Sequence, residues 1–307
     1  MTVMMRAAAR TLGLAVAGLL GLAPASAVMQ ILDDTHPERN DRFYTGTVPA
    51  PDNFLRNADD WSGVGMSGGY WATLVSPSFA LSCNHLNYHP QTGSTVLFYP
   101  DNDPTATPIS RTVADGQRIG TSDLWLCELS VPIVPADGIR YYPVYSDVAS
   151  GFLNSEVWVF GKDDVGVETS QRIGRNVIDG VGSLTVSGQP GQQVILYDYD
   201  RTSAEVGGDE AMLMGGDSGG PEFALIDGTF YLAGINFFNY SNGFAPDPDG
   251  SGGTRVSAYI SEINSAMGVM STLGDRLTVV PEPASLVLLA VVGTGVVLRR
   301  PRRRPAA

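Results

Sequence analysis

The sequence predicts an all-β protein made of two packed β units that are followed by one C-terminal helix. Three observations predict it: the hydrophobic runs are short, turn residues separate them, and only one segment before the tail shows helical spacing. The 307 residues include 36 glycines and 20 prolines, and 43% are hydrophobic against 17% charged. A body of about 250 residues is large for one simple sandwich and sufficient for two packed units. Such a composition excludes a disordered chain.

The first 27 residues have the three parts of a secretory signal peptide. Two arginines, Arg6 and Arg10, precede an apolar run over residues 12–22, and Ala-Ser-Ala follows at 25–27. We expect cleavage after Ala27, which makes Val28 the mature N-terminus. A membrane anchor is the alternative, and it is disfavoured because the apolar run is too short to span a bilayer.

The last 27 residues predict a second sorting element. Pro-Glu-Pro at 281–283 precedes an apolar stretch over 284–298 and a cluster of five arginines. This pattern is typical of a short membrane segment whose cationic end stays in the cytoplasm. Residues 281–304 resemble the PEP-CTERM sorting signal of Gram-negative bacteria, which implies transient membrane anchoring and an exosortase-type processing enzyme. An ordinary C-terminal anchor is the alternative, and in both cases the body is exported to the cell envelope or secreted.

The charge of the chain argues against a nucleic-acid partner. The formal net charge is −13, and the body is more acidic still because seven of the 19 basic residues lie in the two ends. A body of that charge is repelled by phosphate backbones and by anionic membranes.

The strand-like runs form two groups, and a proline-bearing segment at 131–138 separates them. The first unit, about 60–130, contains predicted strands at 70–75, 79–83, 95–99 and 124–129. The second unit, about 145–255, contains predicted strands at 156–160, 194–197, 223–226 and 229–233. Asp227-Gly228 between the last two is a strong two-residue hairpin signal.

One helix is predicted at about 256–268. Val256, Ile260, Ile263 and Met267 recur at helical spacing, with polar residues on the other faces. We expect this apolar stripe to pack on the second β unit.

The most specific string in the chain is Gly-Gly-Asp-Ser-Gly-Gly-Pro at 215–221. A serine among glycines can occupy a tight turn with its hydroxyl exposed, and the glycines allow backbone N–H groups to converge on a developing oxyanion. A plain glycine-rich turn is the alternative. The length of the string favours Ser218 as a nucleophile.

These residues resemble the chymotrypsin/trypsin-like serine proteases (family S1 of the PA clan), whose nucleophile lies in Gly-Asp-Ser-Gly-Gly-Pro. Leu-Ala-Gly-Ile at 232–235 is similar to the strand that follows the nucleophile, and residues 254–260 look like the start of the family's C-terminal helix. The resemblance covers about residues 63–267. It implies two six-stranded antiparallel β-barrels with a C-terminal helix.

The chain has three histidines, and His85 is the best candidate for the base. It follows the apolar strand predicted at 79–83, where the family places its histidine, although Cys83-Asn84 replaces the usual alanines. His89 is expected in a loop, and His36 lies too near the N-terminus. The Nε2 atom of His85 would accept the serine proton.

Asp123 is the candidate for the orienting carboxylate. It stands between the histidine and the serine in the chain, as the order His, Asp, Ser of this architecture requires, and it precedes an apolar strand. It resembles the family's Asp-Ile-Ala-Leu pattern. Three other aspartates are weaker candidates, because they are expected in polar loops and solvated: Asp101, Asp103 and Asp115.

The resemblance also implies roles for the residues around the nucleophile. The N–H groups of Gly216 and Ser218 would form the oxyanion hole. Asp217 would support the oxyanion loop by pairing with a new N-terminal ammonium, which Val28 could supply after signal cleavage. The alternative is an Asp217 that is satisfied by hydrogen bonds or by another cation.

By the same resemblance, Met212 would form the base of the primary substrate pocket, and its far wall would consist of Ile235, Asn236, Phe237 and Asn239. An apolar methionine at its base cannot pair with lysine or arginine, so trypsin-like specificity is not expected. A small or medium apolar residue before the cleaved bond is favoured.

Two further features concern cross-links and metals. Cys83 and Cys127 are the only cysteines, and in an exported chain a pair favours a disulfide over adjacent buried thiols. The acidic and glycine-rich segment at 247–253 predicts a flexible rim loop rather than a calcium site, because no glutamate follows at the bidentate position. No cofactor and no metal are therefore predicted.

The sequence thus predicts an exported serine endopeptidase that acts on polypeptides through His85, Asp123 and Ser218. An inactive trypsin-like binding module of the cell surface or matrix is the first alternative. An esterase with the same triad is the second.

Overall fold

The structure is a computed structural model, and it describes residues 15–16, 28–45, 54–146, 151–162, 169–201, 205–241 and 249–281. Most of the predicted signal peptide and all of the predicted sorting tail after Pro281 lie outside the described residues. Within these ranges, no helix is long and apolar enough to cross a membrane. The N-terminal elements are β1 (Ala15–Val16), β2 (Gln30–Ile31) and α1 (Pro37–Asn40).

Six strands close into an antiparallel barrel in the order β3-β4-β5-β8-β7-β6. Short, mostly buried apolar runs form several of them, and the ring closes where Met66 pairs with Leu97. The strands are β3 (Val64–Ser67), β4 (Tyr70–Leu74), β5 (Phe79–Cys83), β6 (Thr95–Phe98), β7 (Ile109–Arg118) and β8 (Leu124–Leu129).

A second sheet of ten strands follows, and its main path runs β1-β12-β13-β17-β16-β15-β10-β11. Beside this path, β9 pairs with β16 and β18 pairs with β9. A separate strand, β14 (Ala211–Met212), pairs with β2. The sheet strands are β9 (Val144–Ser146), β10 (Glu156–Gly161), β11 (Arg172–Val177), β12 (Gly180–Val186), β13 (Gln189–Asp198), β15 (Pro221–Ile226), β16 (Thr229–Tyr240), β17 (Gly250–Arg255) and β18 (Val279–Pro281).

The architecture is therefore all-β, with one closed six-stranded antiparallel barrel and a C-terminal helix. Strands β5 and β8 have the predicted bounds. Asp227 and Gly228 between β15 and β16 have φ values of 50° and 76°, the left-handed pair that a two-residue hairpin turn requires. In the described residues, paired strands complete a ring only in the first of the two predicted barrels.

The C-terminal helix begins as a 3-10 turn, Val256–Tyr259, and continues as α2 (Ile260–Met270). The helix predicted at about 256–268 is therefore present, but its first turn is a tighter 3-10 turn, which is common at helix N-termini. Ile263 and Met267 are buried, as the helical spacing predicts. They belong to a large apolar cluster that packs the barrel against the second sheet.

Arg42 ties the N-terminal segment to both sheets. It is fully buried and donates hydrogen bonds to Asn102 Oδ1 at 2.9 Å and to Gln171 Oε1 at 2.8 Å. The carbonyls of Val64 and Tyr99 also accept from it, at 3.3 and 3.2 Å. Burial lowers the pKa of this guanidinium to about 10, so it stays charged at neutral pH.

The predicted disulfide is wrong, since Cys83 and Cys127 are both free and buried. In the β5–β8 register, Cys83 pairs with Leu124 and Cys127 pairs with Ala80, three residues further along the ladder. An odd offset places the two side chains on opposite faces of the sheet, and they belong to different apolar clusters. Three residues of strand also extend about 10 Å, beyond the reach of a disulfide.

The glycine-rich segment at 247–253 is not the predicted rim loop in its described part. Gly250–Gly253 lie in β17, buried between β13 and β16. A Cβ atom on Gly253 would collide with the buried carboxylate of Glu222, so a glycine is required there. Residues 247 and 248 lie outside the described residues.

Candidate active site

The register of β5 and β8 places His85 beside Asp123. Cys83 and Leu124 form the last pair of this ladder, so the residues just beyond it face each other. The N–H of Asn84 donates to the Asp123 carbonyl at 2.7 Å, and the N–H of His85 donates to Asp123 Oδ1 at 2.8 Å. The imidazole Nδ1–H donates to Asp123 Oδ2 at 2.6 Å. Three oxygen atoms of Asp123 therefore fix the backbone and the ring of His85.

Ser218 completes the arrangement from the second sheet. Its half-buried hydroxyl lies on the loop between β14 and β15, and Oγ is 2.8 Å from His85 Nε2. The His85 side chain is 16% exposed and the Asp123 side chain 1% exposed. Burial raises the pKa of Asp123 above its ordinary value, and the hydrogen bonds from His85 oppose this rise. A hydroxyl, an imidazole and a carboxylate thus form one hydrogen-bonded chain.

Two backbone N–H groups of the nucleophile loop, those of Gly216 and Ser218, have no acceptor among the described residues. In the loop, Asp217 donates to the Met214 carbonyl, and Gly219 donates to the Asn236 carbonyl. Within the described residues, no acceptor takes a hydrogen bond from the N–H of Gly216 or of Ser218. Gly216 has a φ of 110°, a conformation that favours glycine. Free donors in such a loop need an acceptor, and a carbonyl oxygen bound at Ser218 would supply one.

Asp217 points away from the hydroxyl and is fully buried. Its Oδ2 accepts from the Met214 N–H at 2.7 Å, and its Oδ1 accepts from the Lys162 N–H at 2.8 Å. Burial raises the pKa of Asp217 to about 7, and these two hydrogen bonds oppose the rise. The carboxylate therefore links the nucleophile loop to the end of β10.

The start of the predicted mature chain packs beside Asp217. The Met29 N–H donates to the Lys162 carbonyl at 2.9 Å, and Met29 is buried. A Cβ atom on Gly161 would lie 2.5 Å from Met29 Cβ and 2.9 Å from Asp217 Oδ1, so both groups border the same point. Met212 of β14 pairs with Gln30 of β2. The N-terminal segment thus runs along the strand that leads into the nucleophile loop.

The predicted pocket residues are only partly brought together. Met212, Ile235 and Phe237 are buried, and the Phe237 ring lies against the His85 ring with centroids 5.4 Å apart. Asn239 is exposed, and its Nδ2 donates to the Leu213 carbonyl at 3.1 Å. This bond connects β16 to the start of the nucleophile loop.

Asn236 was expected in the wall of the substrate pocket, and the structure gives it a further, anchoring position that the sequence did not predict. It is fully buried on β16, and its Nδ2 donates to the carbonyls of Phe160 and Asp217 at 2.6 and 2.9 Å. Its own carbonyl accepts from the Gly219 N–H, and its N–H donates to the Gly220 carbonyl. One signal was present: a polar amide inside an otherwise apolar strand demands partners.

The remaining histidines do not join the triad. His89 is buried and stacks on Trp125 with centroids 3.9 Å apart, and its Nδ1–H donates to the Cys83 carbonyl at 2.9 Å. Burial lowers the pKa of His89, so the neutral ring is favoured. His36 is exposed and contacts Glu38.

One group of described residues brings possible metal ligands within reach of each other. Ligand atoms of Cys83, His85 and Asp123 lie within 4.8 Å of one another. These atoms already have partners, since the imidazole bonds the carboxylate and the thiol donates to the Tyr88 carbonyl at 3.2 Å. Burial also raises the pKa of the Cys83 thiol, which opposes thiolate formation.

The arrangement has the groups that nucleophilic catalysis requires: a hydroxyl, an imidazole and a carboxylate in hydrogen-bond contact, beside two N–H donors that have no acceptor among the described residues. A cavity of about 390 Å³ lies elsewhere, lined by residues such as Asp60 and Asp101, and none of the triad side chains borders it. No protein-family model matches this chain, and no curated protein matches it either.

Proposed function

We propose that the chain is an exported serine endopeptidase of the chymotrypsin/trypsin-like family. The observation that carries this proposal is the continuous hydrogen-bond chain from Ser218 Oγ through His85 to Asp123. Each contact lies within the distance at which proton transfer between the groups is direct. The chain order His, Asp, Ser agrees with that family and differs from other folds that carry the same triad.

The mechanism follows from these contacts. Ser218 Oγ attacks the acyl carbon of the substrate and its proton passes to His85 Nε2, while Asp123 stabilises the imidazolium. The carbonyl oxygen becomes an oxyanion between the Gly216 and Ser218 N–H groups. His85 then gives its proton to the leaving amine as the C–N bond breaks. Water repeats the sequence on the acyl-enzyme and releases the acid.

We interpret the second sheet as the second six-stranded barrel of this family. Six neighbouring strands of the path surround a buried cluster that includes Val159, Ile195 and Tyr197; they are β13, β17, β16, β15, β10 and β11. The two outer strands of these six also approach each other, since Asn176 on β11 donates to the Asp198 carbonyl on β13 at 2.6 Å. Both features are expected of a sheet that curls toward closure.

Val28 is proposed as the partner of Asp217 in the mature protein. Met29 packs beside that carboxylate, so an ammonium released one residue earlier would start close to it. An ion pair there would offset the effect of burial, which disfavours the charged form of Asp217, and it would order the oxyanion loop. Activity would then begin only after signal cleavage.

The proposed substrates are polypeptides with a small or medium apolar residue before the cleaved bond. Met212 offers no charge to a basic side chain, and the Asn239–Leu213 hydrogen bond limits the depth of the pocket. The predicted tail at 281–304, with its exosortase-type processing, supports a location in the cell envelope or outside a Gram-negative cell. These assignments depend on the sequence pattern of the two ends.

Fluorophosphonate labelling of the purified protein tests the proposal. We expect covalent labelling at Ser218 in the wild type, and loss of it in Ser218→Ala and in His85→Ala. Peptide mapping by mass spectrometry identifies the labelled residue. An unlabelled, folded wild type would favour the inactive binding module instead.

A further inference from the structure

Three large hydrophobic side chains are exposed on the first barrel next to the catalytic imidazole. We call Tyr70, Leu86 and Tyr88 the aromatic rim; they are 38%, 57% and 37% exposed. Single exposed hydrophobic residues are ordinary on a protein surface. A group of them at the edge of a reactive site is typical of a surface that contacts a ligand.

The rim is continuous with the triad. The Tyr88 ring centroid lies 6.2 Å from the His85 ring centroid, and Tyr70 stacks on Tyr88 at 6.0 Å with an interplanar angle of 26°. Tyr70 begins β4, so its ring is held by a strand of the closed barrel. An aromatic surface thus starts at the imidazole that moves protons and extends over the first barrel.

The turn that carries Leu86 has a strained backbone conformation. Leu86 and Asn87 follow His85 directly, and both have positive φ, 53° and 56°. A leucine in the left-handed region is strained, and the two hydrogen bonds that fix Asn84 and His85 to Asp123 hold the chain in this turn. The turn leaves the Leu86 side chain in solvent. Strain of this kind clusters at functional sites.

The position of the rim determines which half of a substrate it contacts. The N–H groups of Gly216 and Ser218, which would bind the carbonyl of the acyl half, lie on the nucleophile loop of the second sheet. His85 lies on the first barrel and would protonate the leaving amine. A peptide bound across Ser218 would therefore carry its acyl half over the second sheet and its leaving half over the rim.

We propose that the aromatic rim binds an aromatic or large aliphatic side chain on the leaving-group side of the cleaved bond. The inference rests on the proposed peptidase function and adds a second specificity to it, separate from the pocket around Met212. Aromatic rings stack favourably on exposed tyrosine faces, and burial of the apolar contact adds to this.

Acyl transfer to amines tests this side of the site alone. An acyl-enzyme is formed from N-benzoyl-alanine methyl ester, and water and an amino-acid amide then compete for it. When the amine nitrogen attacks the Ser218 ester, a C–N bond forms, the C–Oγ bond breaks, and a proton returns to Oγ through His85. The ratio of dipeptide amide to benzoyl-alanine, measured by chromatography, reports binding of the amine.

We expect phenylalanine amide and leucine amide to be about five- to tenfold better acceptors than glycine amide or aspartic acid amide, the range that one aromatic contact supplies. The double variant Tyr70→Ser/Tyr88→Ser should bring these ratios close to one. Tyr141→Ser is the matched control, because Tyr141 is 42% exposed on the segment that joins the two sheets. It should keep the wild-type ratios.

The outcomes separate the two proposals. Equal acceptance of large apolar and small amides by the wild type would overturn the rim, as would a preference that survives in Tyr70→Ser/Tyr88→Ser. A preference for arginine or lysine amides would also overturn it, and would assign the tyrosine faces to cations. Failure to release methanol and benzoyl-alanine would overturn the peptidase function itself, and the rim with it.

Discussion

The side-chain amide of Asn236 donates to the main-chain carbonyl of Asp217, 2.9 Å away, and so holds the residue before the nucleophile from a neighbouring strand. The backbone of Asn236 bonds the next two loop residues as well, Gly219 and Gly220. Loop positions 217, 219 and 220 are therefore hydrogen-bonded to one residue of β16, on both sides of Ser218. We infer that this anchor acts by positioning and sets the orientation of the Gly216 and Ser218 N–H groups.

Asn236→Leu should lower kcat about tenfold to a hundredfold with little change in KM. Leucine has a similar volume but leaves the Phe160 and Asp217 carbonyls without a donor, which costs about 1–3 kcal/mol for each buried group. The loop would relax, and the oxyanion donors would lose alignment. Steady-state kinetics on a peptide substrate measures both constants.

Asn176→Leu is the matched control for Asn236→Leu. Asn176 is also buried in the second sheet, and its Nδ2 donates to two carbonyls, those of Asp198 and Ala211, away from the nucleophile loop. Thermal stability should fall in both variants, whereas kcat should fall only in Asn236→Leu. Equal kcat values in the two variants would show that the anchor has no catalytic role.

Asp123→Asn should reduce kcat by about four orders of magnitude while the fold is retained. An asparagine amide facing Nδ1 would donate where a carboxylate accepts, so the ring would adopt the tautomer whose Nε2 carries a proton. Ser218 would then lack an acceptor for its own proton. Stopped-flow fluorophosphonate labelling measures the effect, and a labelling rate within tenfold of the wild type would contradict the assigned role of Asp123.

Glu222 should make the protein less stable as the pH rises. It is fully buried, Tyr197 donates to its Oε1 at 2.9 Å, and within the described residues its Oε2 has no partner. Burial raises its pKa to about 8 from an ordinary value of 4.5, so the folded protein retains a proton that the unfolded chain releases. The stability from this group is complete below pH 4.5 and is lost as the pH rises to about 8.

Glu222→Gln should therefore unfold at a higher temperature than the wild type at about pH 9 and at a similar temperature at about pH 4. The glutamine resembles the protonated acid and carries no charge to bury. Calorimetric scans across this range measure the difference, with the exposed Glu262→Gln as control. A wild-type advantage at the higher pH would mean that Glu222 is charged and stabilising in the folded state.

A free N-terminus at Val28 should be needed for full activity. Acetylation of that amine, or retention of residues before it, should lower the fluorophosphonate labelling rate about tenfold or more, because Asp217 would lose its ammonium partner. In Asp217→Asn the same acetylation should have no further effect, since the pair is already absent. Unchanged labelling of the acetylated wild type would show that Asp217 does not need Val28 and is satisfied by its two N–H donors and by nearby cations, of which Lys162 is one.

The sequence predicted well those strands that are continuous apolar runs, because such a run is buried whatever its partners are. The runs at 79–83 and 124–129 became β5 and β8 with those bounds. Strand β7 contains Asp115 and Gly116 and was missed, because its hydrogen bonds to β6 and β8 define it. Strand β17 was missed for the opposite reason: its glycines make room for Glu222, a contact between distant segments.

The candidate site follows a similar division. His85, Asp123 and Ser218 could be named because each stands in a short local motif, and the structure brings their side chains into contact. The anchoring role of Asn236 could not be predicted, since the groups that it bonds lie 16 to 76 residues away in the chain. The disulfide prediction was wrong because the positions of two cysteines in the sequence do not show which face of the sheet each side chain occupies.

Cleavage of a mixed peptide library by the purified protein, followed by mass spectrometry, tests whether the triad hydrolyses peptide bonds. New peptide termini are expected after small or medium apolar residues, and no cleavage is expected from Ser218→Ala or Asp123→Asn at matched concentration. Intact peptides together with rapid, Ser218-dependent ester hydrolysis would contradict the peptidase assignment and show an esterase that uses the same triad.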